Sequence, residues 1–200
     1  MGKRRNCNET SRVDIQPLNT VKNIIFLFTI AGMISNGTSP NSSGGTPSAS
    51  SPAGGAPSSV SFENVTVTDA TIMSSKPKVT AESTLPAAKL KVKDLVIGSG
   101  EAATPTSSVT VQYVGVRYAD GKQFDASWDH GGPTSFRLNK VVRGFTQGIG
   151  GTDTIPAMKV GGRRLMIVPA ELGYGETGTR DGSIPPNAAI VFVVDLVAVK

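Results

Sequence analysis

Apolar residues fall into four regimes along this chain. An apolar-rich run from Ile24 to Ile34 (IIFLFTIAGMI) follows a polar stretch and gives way to small polar residues. Ser, Gly and Pro then dominate residues 35–59. Such a segment cannot bury enough surface to offset the entropy of ordering it, so a disordered tether is expected. In residues 60–88, Val60, Phe62, Val65 and Val67 alternate with polar side chains, which predicts one weakly specified strand or an extended arm. From residue 89 onward the alternation becomes strong. KLKVKDLVIGSG (89–100) predicts a strand closed by a Gly-Ser-Gly turn. SSVTVQYVGVRY (107–118) followed by Asp120-Gly121 predicts a hairpin over 107–127. GRRLMIVP (162–169) is a further strand stopped by Pro169. AAIVFVVDLVAV (188–199) is the most apolar of all and belongs at the centre of a sheet. KVVRGFTQGIG (140–150) has a short helical pattern that Gly150-Gly151 ends. The expected fold class is α+β: a curved antiparallel sheet wrapped around one short α-helix, preceded by a disordered N-terminal tether.

Length and charge refine this picture. The chain has 200 residues and a formal net charge of +5. Lys3, Arg4, Arg5, Arg12 and Lys22 against Glu9 and Asp14 place +3 of that charge ahead of the apolar run, and residues 23–59 carry none. The part long enough to fold has nearly balanced charge, which argues against a dedicated phosphate-binding surface and against nucleic acid as a partner. A basic head, an eleven-residue apolar core and small residues after it (Ser35–Gly37 or Gly37–Ser39) read as a signal peptide, since a bilayer-spanning helix needs about 20 apolar residues. An uncleaved N-terminal anchor is the competing reading. The expected organisation is a signal peptide or anchor over 1–37, a linker and extended arm over 38–87, and one domain over 88–200. Localisation is expected to be extracytoplasmic, either secreted or N-terminally membrane-anchored. Asn36, Asn41 and Asn64 each begin an Asn-x-Ser/Thr triplet, which has meaning only in a host that glycosylates them.

Catalytic chemistry of the usual kinds finds few candidates. Cys7 is the only cysteine and His130 the only histidine, so neither an intrachain disulfide nor a Cys- or His-rich metal site can form. No metal and no cofactor is expected. Gly148, Gly150 and Gly151 have no following Lys-Ser/Thr pair to make a phosphate loop. His130, in the Gly-rich DHGGP loop, reads as a solvated loop residue. What remains is a set of aromatics beside turns: Tyr113, Phe124, Trp128, Phe136, Phe145, Tyr174 and Phe192. Some must be core, Phe136 first among them. Together they are also suited to lining a pocket for an apolar ligand.

Four separated blocks carry a family resemblance: VTVQYVGVRYADGKQFDAS (109–127), VVRGFTQGI (141–149), MKVGGRRLMIVPAELGYG (158–175) and IPPNAAIVFVVDLV (184–197). In order and spacing they resemble the FKBP-type (macrolide-binding) peptidyl-prolyl cis-trans isomerases, in particular secreted bacterial single-domain members. The resemblance covers about 88–200 and implies a curved antiparallel sheet against a short helix. It implies catalytic roles for Asp125, for Tyr174 of GYG, whose hydroxyl points at a bound carbonyl, and for Val142, whose backbone N–H receives a substrate carbonyl. It also implies a binding wall of Tyr113, Phe124, Val141, Phe145, Ile184 and Phe192. The implied activity is acceleration of Xaa-Pro rotation by desolvation in an aromatic pocket. The implied partners are proline-containing unfolded or slowly folding polypeptides and macrolide inhibitors, met by a monomer. A non-catalytic chaperone or binding module using the same pocket is the alternative, and a surface interaction protein with a vestigial pocket a third reading. The sequence departs from the family pattern at Phe145, where Trp is usual, at Thr134, where a second pocket Phe is common, and in an insertion between Gly144 and Met158 expected to shorten the helix and remodel one rim.

Overall fold

The computed structural model describes residues 58–83 and 87–200. The export segment expected over 1–37 lies outside them, as does the tether expected over 35–59 except for its last two residues, of which Ser59 begins a strand. Two antiparallel sheets make up the fold. The larger is formed by β4 (Lys91–Val96), β5 (Ser108–Arg117), β6 (Gln123–Ala126), β7 (Thr134–Arg137), β8 (Arg163–Val168) and β9 (Ile190–Val199). Its order is β4-β8-β9-β5-β6, and β7 pairs with the first half of β5. The expected position of 188–199 holds: β9 runs between β8 and β5, bonded along both edges. The one α-helix among the described residues, α1 (Arg143–Gly150), is amphipathic and buries Phe145 and Ile149 against this sheet. It ends where Gly151 adopts φ 86°, a left-handed conformation that favours glycine. The Gly148 carbonyl in its last turn is taken up by the Arg164 guanidinium, which also binds the Pro156 carbonyl of the inserted loop. Gly144 brings α1 onto β8, since a Cβ there would lie 2.3 Å from Val168 Cγ1.

Residues 60–88 differ from the single strand or extended arm that their weak alternation predicts. They contain β1 (Ser59–Phe62), β2 (Val65–Thr68) and β3 (Lys78–Ala81), a three-stranded meander in the order β1-β2-β3. Its inward residues Val65, Val67, Val79 and Ala81 form one buried cluster with Val114 and Val116 of β5, Leu165 and Ile167 of β8, and Val191 and Val193 of β9. The larger sheet is therefore covered on both faces. Met166, Val168, Ile190, Phe192, Val194 and Leu196 pack toward α1, and the intervening Leu165, Ile167, Val191 and Val193 pack toward β1–β3. Sheets covered on both faces read as continuous apolar runs rather than alternating ones, which explains RRLMIV, where all six residues are buried.

Two consecutive arginines fasten these layers. The Arg163 side chain is fully buried and paired with Asp195 through Nε (2.5 Å) and Nη2 (2.7 Å); it also donates to the Asp69 and Ser75 carbonyls of the N-terminal sheet. Arg164, on the opposite face, is held by Asp94 of β4 and reaches the helix and the inserted loop. Burial pushes the Asp195 carboxyl up, and Arg163 acts in the opposite direction. Tyr118 donates to the Glu63 carbonyl (2.9 Å), Glu63 pairs with Lys91 (2.7 Å), and Lys76 pairs with Asp129 (2.7 Å), so the seam between the sheets is also polar at its rim.

Candidate functional site

The site lies where α1 begins against the sheet, on a floor of four aromatic rings. Pleat alternation turns Tyr113 of β5 and Phe192 of β9 to the same face, and Phe145 descends onto them from α1. All three are nearly fully buried. Phe145 and Phe192 meet edge to face at 4.5 Å between ring centres and 88°. Tyr113 lies 6.2 Å from each of them, and Phe124 of β6 lies 5.6 Å from Phe192. Gly115 makes this packing possible: a Cβ there would fall 2.7 Å from the Phe124 ring and 2.8 Å from that of Phe192. Edge-to-face pairs add roughly 0.5–1.5 kcal/mol each beyond the area they bury, so the floor is rigid.

Around it stand half-buried side chains: Phe124, Val141, Val142 and Tyr174. Val142 is the residue that caps the N-terminus of α1. The backbone N–H groups at a helix start have no partner within the helix. Ile184 is fully buried; its N–H donates to Thr179 Oγ1 (3.0 Å), and its carbonyl accepts from the Thr179 N–H (2.9 Å), which closes the 179–184 loop. Tyr174 follows the 3-10 turn Ala170–Leu172, and the Gly175 N–H bonds back to the Ala170 carbonyl (2.8 Å).

Asp125 is the charged member of the wall. Its side chain is one-tenth exposed, and Oδ2 accepts a 2.5 Å hydrogen bond from the Tyr113 hydroxyl. Burial, then Asp125, pushes the Tyr113 hydroxyl well above its usual range. The same two causes push Tyr174 up to about 12. Both phenols therefore stay protonated donors across the physiological range. The arrangement can hold an apolar group on aromatic faces and offer hydrogen-bond donors at its edge. Proton transfer has no evident partner in it, and among the described residues no cluster of His, Cys, Asp and Glu could hold a metal ion.

The sequence-predicted residues Tyr113, Phe124, Asp125, Val141, Val142, Phe145, Tyr174, Ile184 and Phe192 thus come together around one centre. Two others join them. Phe136, expected in the core, lies 5.8 Å from Phe145 and remains partly exposed; it is carried by β7, a four-residue strand too short to read from TSFR alone. His130, expected as a solvated loop residue, is half exposed, yet its Nε2 lies 3.3 Å from Asp125 Oδ1. Thr134 begins β7 opposite Val111.

Residues 99–197 match the family model of FKBP-type peptidyl-prolyl cis-trans isomerases. The FK506-binding protein of Streptomyces anulatus is 44% identical over 126 residues, spanning 62% of this chain and 97% of that one. The crystal structure of AtFKBP13 superposes with a TM-score of 0.52 at 35% identity, over 59% of this chain and 98% of that one. That of FkpA from Escherichia coli gives 0.50 at 37% identity, over 60% of this chain and 51% of that one. The chain belongs to the FKBP-type peptidyl-prolyl cis-trans isomerase family, a family of enzymes.

Proposed function

We propose that the chain accelerates Xaa-Pro rotation in exported polypeptides by desolvating the bond in the aromatic pocket. Asp125, Tyr174 and the Val142 N–H are the catalytic groups, and Tyr113, Phe124, Val141, Phe145, Ile184 and Phe192 form the binding wall. The planar amide must cross a barrier of about 18–20 kcal/mol as it loses resonance, and uncatalysed exchange takes tens to hundreds of seconds. The twisted amide has a less polar carbonyl than the planar one. An apolar site therefore binds it better relative to the better-solvated ground state, and that difference is catalysis. Each tenfold gain needs about 1.4 kcal/mol, which is the scale of one well-placed donor. Tyr174, whose hydroxyl keeps its proton, is suited to receive a substrate carbonyl at the rim. The Val142 N–H is a second donor for one.

The observation that carries this reading is the Tyr113–Asp125 hydrogen bond set into the edge of an aromatic floor. The same pocket would accept macrolides, as the name of the Streptomyces relative says of that protein. Work outside the cytoplasm is supported by the basic, apolar and small-polar order of residues 1–39. The test is cis/trans exchange of an Xaa-Pro peptide measured by NMR with the full chain. Exchange well above background is expected, with about tenfold loss in Asp125→Ala and in Tyr174→Phe. A folded chain that leaves exchange at background rejects the reading, and two fully active variants reject the residue roles.

A further inference from the structure

The Asp125 carboxylate has two oxygens in the pocket wall. Tyr113 occupies Oδ2, and Oδ1 faces the His130 ring. A carboxylate this deeply buried needs partners on both oxygens, because an unpaired one carries a desolvation penalty. His130 is delivered to that place by a fixed turn. The 3-10 turn Ser127–His130 is closed by Gly131 at φ 90°, whose N–H bonds to the Ser127 carbonyl. Ser127 Oγ accepts from the Tyr113 N–H (2.9 Å), tying the start of the turn to β5. Asp129 takes both Lys76 Nζ (2.7 and 2.9 Å) and Gln123 Nε2 (2.8 Å), tying its far side to the N-terminal sheet and to β6.

We propose that His130 is a positioning residue of the isomerase site: as imidazolium it holds Asp125 on its Tyr113 hydrogen bond, so that turnover is faster on the acid side of neutrality. The proposal rests on the isomerase reading and on the order of charges at this rim. Histidine is the side chain that ordinarily changes charge between pH 5 and 8, and His130 is the only one in the chain. The groups around it keep their charge in that range. Lys76, then Gln123, holds the Asp129 carboxyl below its usual range, and burial pushes the Tyr113 and Tyr174 hydroxyls up, so Asp129 stays charged and both phenols stay neutral. Losing the imidazolium removes the only positive charge set directly on Asp125 Oδ1 among the described contacts. The carboxylate is then free to turn toward water and away from Tyr113, which loosens the wall against which the proline ring packs. The His130 side chain is 45% exposed, so water competes and the effect is modest, about two- to fivefold.

The experiment is kcat/KM for an Xaa-Pro peptide from pH 5.5 to 8.5, for the full chain and for His130→Gln and His130→Arg. The native chain should fall two- to fivefold as pH rises. His130→Arg, permanently charged, should stay near the acid-side rate throughout, and His130→Gln should stay near the alkaline-side rate. An active chain with a flat profile, or His130→Gln with the native inflection, overturns the assignment of His130 while leaving the isomerase reading intact. A folded chain inactive at every pH overturns both.

Discussion

At the scale of single residues, Gly115 and Tyr174 have the clearest consequences. Gly115 permits the Phe124 and Phe192 rings to close over β5, and any side chain there must push them apart. Overpacking of this kind costs about 1–3 kcal/mol, and the displaced atoms are the pocket itself. Gly115→Ala is expected to lower kcat/KM about tenfold or more while the protein remains folded, as checked by paired activity and thermal-melt measurements. Full activity would mean the rings relax without cost. Tyr174 gives a prediction in pH. An ordinary tyrosine ionises near pH 10, whereas Tyr174 is pushed up to about 12 by burial and by Asp125. Isomerase activity should therefore show no tyrosine-type fall between pH 9 and 10.5, and a fall there that disappears in Tyr174→Phe would contradict the donor role.

Most of these residues were legible because VQYVG, QFD, GYG and IPP are local patterns that mark their own positions. His130 was not. Its approach to Asp125 depends on how the turn over 127–130 folds and on Lys76, more than fifty positions away in sequence, holding Asp129. Phe136 packs against the main core as expected, but its contact with Phe145 is carried by β7, and nothing in TSFR signals that β5 takes a second partner strand beside β6.

At the scale of elements, the N-terminal meander is attached through specific partners. Removing Arg163 leaves Asp195 buried without its cation and frees the Asp69 and Ser75 carbonyls. Breaking a buried pair from one side costs about 3–5 kcal/mol, so Arg163→Met should lower unfolding free energy by that amount in urea. Arg163→Met with Asp195→Leu should recover part of it, since the orphaned charge is gone. A double variant no better than the single one would place the loss in the carbonyl contacts instead.

Acid should weaken the same seam. Lys76, then Gln123, holds the Asp129 carboxyl below its usual value, and Arg117 does the same for Asp120. A carboxyl that ionises more readily when folded adds stability above its unfolded value, near pH 4, and loses it as pH falls through the lower folded value. Thermal midpoints should therefore drop between about pH 5 and 3, and the drop should be smaller in Lys76→Met. Equal drops would remove Lys76 from the account.

At the scale of the molecule, residues 59–81 complete a core. The expectation placed the start of the domain at 88, because SVSFENVTVTDATIM alternates too weakly to announce a sheet of three strands. The stronger signal lay elsewhere. LMIV and IVFVV run apolar without alternation, and α1 covers only one of their two faces. Something had to cover Val114, Val116, Leu165, Ile167, Val191 and Val193, and the only alternating segment left in the chain was 60–67. A chain cut at 88 exposes all six, each side chain worth about 1.5–3 kcal/mol when fully buried. Residues 88–200 alone should be much less stable to urea than residues 58–200 and should aggregate on concentration. Equal stability would show the meander to be an accessory.

The place of β9 at the middle of the larger sheet also sets an order of events in time. β5 and β8 do not pair with each other; residues 190–199 lie between them and join the β4–β8 pair to the β5–β6–β7 strands. The meander at 59–81, made first, meets Val114 and Val116 of β5 early and waits for Leu165, Ile167, Val191 and Val193 before its apolar side is fully covered. Contacts so distant in sequence close slowly. A chain growing from the ribosome would therefore carry an unfinished larger sheet until these ten residues are free, and until then its apolar faces would stay open to whatever handles it.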